Sequence, residues 1–165
     1  MTEQQILYAH VGSNVVALLM LLACWRGKNL GRVLFVALFL WAGQLNLRTA
    51  LTQPQVYLAY AQFAVEPYRS FIQGLFAGHV TTIVGTIATG QLLIGLLVAL
   101  RGLAVRLGLV GAIVFLVAIA PLGVGSAFPA TLLMAVGAFL LFRANFPRTL
   151  PTEVRAQLRG SAPRV

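Results

Sequence analysis

Few side chains in this chain could do chemistry, and most of them stand alone. Gln91, in the stretch IATGQLLIG, is an amide inside a long apolar run with no charged neighbour in sequence. Burying such a group without a partner costs about 1–3 kcal/mol, so it must meet either another element or a ligand. Thr89 lies just before it, and Gln44, Asn46 and Arg48 form a second polar set near the end of an earlier apolar run. These five are candidates for lining a ligand cavity, since polar residues within membrane spans mark functional sites by default. The simpler reading of Gln91 is structural: an amide bonded to a backbone carbonyl or a threonine on another helix.

His10 and His79 fall near the outer ends of their apolar runs and could share a metal or haem site. Two histidines without an acidic or cysteine partner are a thin ligand set, so interface histidines are favoured and no metal is assigned. Glu66 and Arg69 are spaced to pair, with Arg48 expected at the same level, and fastening a loop at the outer face is favoured over a substrate site. Cys24 is the only thiol, so no internal disulfide or CxxC redox pair can form. Glu3, Glu66 and Glu153 all flank the apolar runs, and there is no Ser/His/Asp set or phosphate loop. Self-contained hydrolysis and proton pumping are disfavoured.

The elements that must position these groups are helices in a membrane. Of 165 residues, 59% are hydrophobic and 9% charged, against about a quarter charged in soluble domains. Apolar runs bounded by charge, Pro or Gly predict helices over Gln5–Trp25, Gly31–Leu47, Phe76–Leu100, Leu103–Ala120 and Phe128–Phe142. The expected fold is all-α: one polytopic bundle of five transmembrane helices over residues 1–146, followed by a basic cytoplasmic tail, 147–165. The first run lacks the basic start of a signal peptide and reads as a retained helix.

Five crossings place the termini on opposite sides, and charge gives the direction. With the amino terminus outside, ten of the twelve Lys and Arg residues fall on the inner side and only Arg48 and Arg69 outside. The net charge of +9 therefore reads as topology in a bacterial-type inner membrane, not as nucleic-acid binding. The Arg- and Pro-rich tail reads as a mobile end that rests on anionic lipid. On the outer side, Tyr57, Tyr60, Phe63, Tyr68 and Phe71 mark an interfacial segment, with a short helix over Gln55–Val65 broken by Pro67. PLGVGSAFP reads as a turn between the last two helices.

Two rows of small residues mark the third helix: Ala77, Thr81, Gly85 and Thr89, beside Gly78, Thr82, Thr86 and Gly90. Such grooves allow close approach of a neighbouring helix. Gln91 falls on a different flank, with Val80, Val84, Ile87 and Gly95, so this helix is expected to be covered on both sides. The same rows suit self-association.

LFLWAGQLNL, GQLLIGLLVAL and a final apolar hairpin ending in basic residues resemble the DoxX-like integral membrane proteins over Gly31–Phe142. The resemblance implies a four-helix core, to which Gln5–Trp25 adds one helix, and an association with thiosulfate:quinone oxidoreduction or oxidative-stress complexes. Gln91 stands at the family's acidic position and Asn46 where a basic residue is frequent, so both positions are neutral here. The expected role is an accessory subunit without catalytic activity of its own, lining a quinone or lipid pocket beside a redox complex. Quinone or haem would come only through a partner, and membrane lipids, other membrane subunits or further copies of the chain are the expected partners. The alternative is a small transporter or solute-binding protein in which Gln91, Thr89, Gln44 and Asn46 line a cavity open to the outer side. A self-contained quinone-linked enzyme is a third reading.

Overall fold

Long apolar runs free of internal proline continue as helices until a Gly, Pro or polar break stops them. The computed structural model describes residues 3–160, and no strand occurs among them. Helix α1 (Glu3–Arg26) is separated from α2 (Lys28–Thr52) by the extended Gly27 alone. A 3₁₀ helix follows over Pro54–Gln62, then a short α3 (Tyr68–Phe71) and a π-turn over Ile72–Phe76. Helix α4 (Val80–Ala99) and α5 (Leu103–Ile119) lead into a second 3₁₀ segment, Ala120–Ser126. The chain closes with α6 (Ala130–Phe142) and α7 (Leu150–Gly160).

Four stretches, Gln4–Arg26, Lys28–Thr52, Val80–Ala99 and Leu103–Ser126, are long and apolar enough to cross a membrane. The fifth expected crossing is shorter: α6 has 13 residues, about 20 Å of helix against a hydrocarbon core of about 30 Å. The helix expected to start at Phe76 starts instead at Val80, because the backbone leaves helical geometry at Gly74 and again at His79. The surface helix expected over Gln55–Val65 is the 3₁₀ helix Pro54–Gln62, with proline at its start.

The pairing of α2 with α4 is the most extensive; α1 packs on α6, and α5 bridges α4 and α6. The α2–α4 crossing is close because of glycine. A methyl at Gly43 would stand 2.9 Å from Leu92 Cγ and 3.0 Å from the Ala88 carbonyl oxygen. The rows of small residues on α4 lie elsewhere: a methyl added at Gly78, Gly85 or Gly90 would meet nothing within 4 Å, and Thr81, Thr82, Thr86 and Thr89 lie away from the buried face. The expected groove therefore receives no neighbour among the described residues. Burial falls on Val80, Val84, Ala88, Gln91, Gly95 and Val98 instead.

One end of the bundle is rich in bases and holds an unexpected anchor. Arg32, counted from the sequence among interfacial bases, is 1% exposed. Its Nε donates to the Val98 carbonyl at 2.7 Å, Nη1 to that of Arg148 at 3.1 Å, and Nη2 to that of Leu100. The guanidinium also lies 4.9 Å from the Phe146 ring centroid. It thus satisfies carbonyls left over at the end of α4, where a cation is favoured, and ties the tail to the bundle. The tail, expected to be mobile, is helical over Leu150–Gly160, with Phe146 and Leu150 buried; residues 161–165 lie outside the described residues. The opposite end is aromatic. There the two 3₁₀ segments meet, with Val65 N donating to Pro121 O at 3.1 Å. Gly123, at φ +68°, lets the turn pass so close to Phe63 that a methyl would stand 2.5 Å from its carbonyl oxygen.

Candidate functional site

Helical spacing sets Phe39, Gly43, Asn46 and Ala50 on the face of α2 that meets α4. Gln91 sits at matching depth on the inward face of α4 and is 3% exposed. Asn46 Nδ2 donates to Gln91 Oε1 at 2.8 Å, and the Tyr57 hydroxyl donates to Asn46 Oδ1 at 3.0 Å. The amide that the sequence singles out is therefore bonded to a second amide, not to a carbonyl or threonine as expected. Tyr57 enters from the 3₁₀ helix, whose turn folds it back over the end of α2.

Above this polar chain lies a cavity of about 380 Å³, with Asn46 and Tyr57 in its lining and Tyr60, Tyr68, Phe71, Phe76 and Phe115 as aromatic walls. Ile83, Val84 and Ile87 of α4 complete its aliphatic side. Most hydroxyls here are already engaged: Tyr68 donates to Ala118 O at 2.8 Å and Ser126 to Gly123 O at 3.0 Å. Among the described residues the Tyr60 hydroxyl has no hydrogen bond within the chain, and Asn46 keeps a second amide proton. Two donors thus remain for an oxygen-bearing ligand in an otherwise apolar space, the usual composition of a small-molecule site. Burial pushes the Tyr57 phenol above its ordinary pKa; a hydrogen bond with Thr49 lowers it and neighbouring Tyr60 raises it. Burial likewise raises that of Tyr60.

Tyr60 also lines a neighbouring cavity of about 470 Å³ with Ile6, His10 and Ser13 of α1. Its ring lies against Gly125, where a methyl would stand 2.5 Å from Cδ1, so one side chain forms the partition between two spaces. Buried side-chain atoms without a hydrogen-bond partner, among the described residues, are His10 Nδ1 and Thr131 Oγ1.

The other candidates are scattered. Thr89 donates to the Gly85 carbonyl of its own helix, and Gln44 and Arg48 are absent from the buried face of α2. None of the three lines the cavity: helical spacing turns Gln44 and Arg48 away from the face of α2 that Asn46 shares with Gly43, and Thr89 away from the face of α4 that buries Gln91. His10 and His79 line different cavities, and the His79 ring bonds the Leu75 carbonyl within its own segment. Glu66 and Arg69 do approach, at 3.8 Å and largely exposed. Arg69 is held mainly by the carbonyls of Ala61 and Ala64, and Glu66 by Ser70, so the set fastens the loop. No three His, Cys, Asp or Glu side chains come together as a metal site among the described residues.

The sequence names Tyr57, Tyr60 and Tyr68 only as interfacial aromatics. Nothing in their spacing signals that all three line one cavity, as they do. No family model matches this chain, and neither a curated protein nor a solved structure matches it.

Proposed function

We propose that this protein is a membrane-embedded binding subunit that holds a quinone, or a lipid with a similarly compact oxygen-bearing head, in the aromatic cavity. The observation that carries the reading is the pairing of an aromatic, apolar space with two unused donors, Tyr60 Oη and Asn46 Nδ2, above a bonded polar floor. A flat ring fits between tyrosine and phenylalanine faces, and its carbonyl or hydroxyl oxygens accept from the two donors. The DoxX-like resemblance points the same way, to an accessory role beside a redox complex whose electron carriers belong to a partner. In this reading the short α6 makes the fifth crossing, with residues 127–129 ahead of it and Arg143 after it reaching toward the two membrane surfaces. The amino terminus then faces outward and the base-rich end lies on the cytoplasmic side of a bacterial-type inner membrane.

Binding is favoured over passage through the bundle. Below Gln91 the interior is filled by Phe35, Phe39, Val98, Leu109 and Leu141, each at most 1% exposed, so the cavity has a floor. The test is titration of the purified chain with a short-chain quinone, read by tyrosine fluorescence, alongside chemical extraction of co-purified lipids. Ile87→Trp, at a partly exposed wall position, is expected to abolish binding, and Tyr60→Phe to weaken it about 2–10-fold. Quinone binding unchanged in both variants, or none in the parent chain, would overturn the assignment.

A further inference from the structure

The base-rich end carries a second, chemically different cleft. Arg26 closes α1 and Lys28 opens α2, and with Asn29 they line one side of a cavity of about 490 Å³. Leu30 and Val33 of α2 and Val154 of α7 form an aliphatic wall, with Gln157 at the edge. Arg26 makes no hydrogen bond or ion pair among the described residues. Lys28 uses one proton on the Asn145 carbonyl at 3.0 Å, lies 5.8 Å from the Phe146 ring centroid, and keeps two protons for a further acceptor. Among the described residues Glu153 is the acid at this end, and it does not line the cleft. Among the described residues no carboxylate lines this space, so Arg26 and Lys28 stand at its edge without a counter-ion there, directly beside exposed aliphatic surface at the mouth of two apolar helices.

That combination matches one kind of molecule: a phosphate carrying hydrocarbon chains. A guanidinium grips a phosphate with two parallel hydrogen bonds, and an ammonium adds a point charge. Basic pockets between helices at a membrane surface hold anionic headgroups in this way. We propose that the cleft between the α1–α2 turn and α7 binds an anionic phospholipid, its phosphate on Arg26 and Lys28 and its acyl chains along Leu30 and Val33. The bound lipid then pins α7 to the membrane surface through Val154. This site shares no residue with the aromatic cavity and does not depend on what that cavity holds.

The test uses the full chain in detergent, melted with phosphatidylglycerol, phosphatidylcholine or inorganic phosphate at equal concentration. Phosphatidylglycerol is expected to raise the melting temperature, and the other two are not. R26Q/K28Q is expected to weaken phosphatidylglycerol binding roughly tenfold or more, whereas R101Q/R106Q, which removes the same charge from the same end, leaves it unchanged. Val154→Trp, which fills the cleft without touching the cations, is expected to reduce the shift as R26Q/K28Q does, and it decides the matter if that variant fails to fold. Equal shifts with phosphatidylcholine, a full shift with phosphate alone, or equal losses in the two charge variants would overturn the proposal.

Discussion

Asn46 on α2 and Gln91 on α4, 45 residues apart, share a hydrogen bond of 2.8 Å across the most extensive helix pairing in the bundle. Tyr57 continues the chain through Asn46 Oδ1, so three side chains from three elements fix the register of the cavity's floor. Each satisfies a group that would otherwise stand unpaired in an apolar setting.

Gln91→Leu is expected to lower thermal stability in detergent, because it strands the Asn46 amide. Interhelical hydrogen bonds in membranes contribute about 0.6 kcal/mol on average and up to about 1.7. A double-mutant cycle with Asn46→Leu should return a coupling in that range. Zero coupling, or a more stable Gln91→Leu, would mean that the pair does not hold the helices.

Glycines on the two faces of the α2–α4 unit should respond differently. Gly43→Ala forces a methyl against Leu92 and the Ala88 carbonyl and should destabilise by about 1–3 kcal/mol. Gly85→Ala meets nothing within 4 Å and should be neutral or gain a little from helix propensity. Melting curves of the two variants check the contrast, and equal effects would contradict the open face of α4.

Arg32 is a buried cation whose hydrogen-bond partners are all carbonyls, so its loss should free the tail before it unfolds the bundle. Arg32→Leu leaves the carbonyls of Val98, Leu100 and Arg148 without their donor, a cost of about 2–4 kcal/mol. Arg32→Lys should recover only part, since an ammonium cannot reach three acceptors as a planar fork does. Limited proteolysis around Thr149–Pro151 should accelerate in both variants, more in Arg32→Leu. An unchanged cleavage rate would show that the tail is held by other contacts.

Alkaline pH should act through the tyrosines at the aromatic end. Burial raises the pKa of Tyr57 and Tyr60 above the ordinary value of 10.0, so the folded state favours the neutral phenol. Their contribution is whole below the unfolded value and is lost as pH rises through the folded one. Stability measured from about pH 9 to about pH 12 should therefore fall, and the Tyr57→Phe/Tyr60→Phe double variant should fall less steeply. Equal slopes would assign the alkaline loss elsewhere.

The helical, membrane-compatible class, the approximate helix positions and the oddity of Gln91 are legible in the amino-acid order alone. Those features are written in the length of apolar runs and in the scarcity of charge, which no packing arrangement alters. Helical periodicity also separates Gln91 from the small-residue rows. What each polar group meets is settled only by packing. Asn46 faces Gln91 while Gln44 and Arg48 turn away, because a helix rotates about 100° per residue and only one rotation of α2 brings Gly43 against α4. The same packing leaves the threonine and glycine rows of α4 open, although their composition suggests the contrary. Arg32 reads as one base among many until the end of α4 and the tail close over it. Helix composition carries no record of which neighbour will cover which face, so partners, cavities and the buried guanidinium emerge only when all the helices are in place.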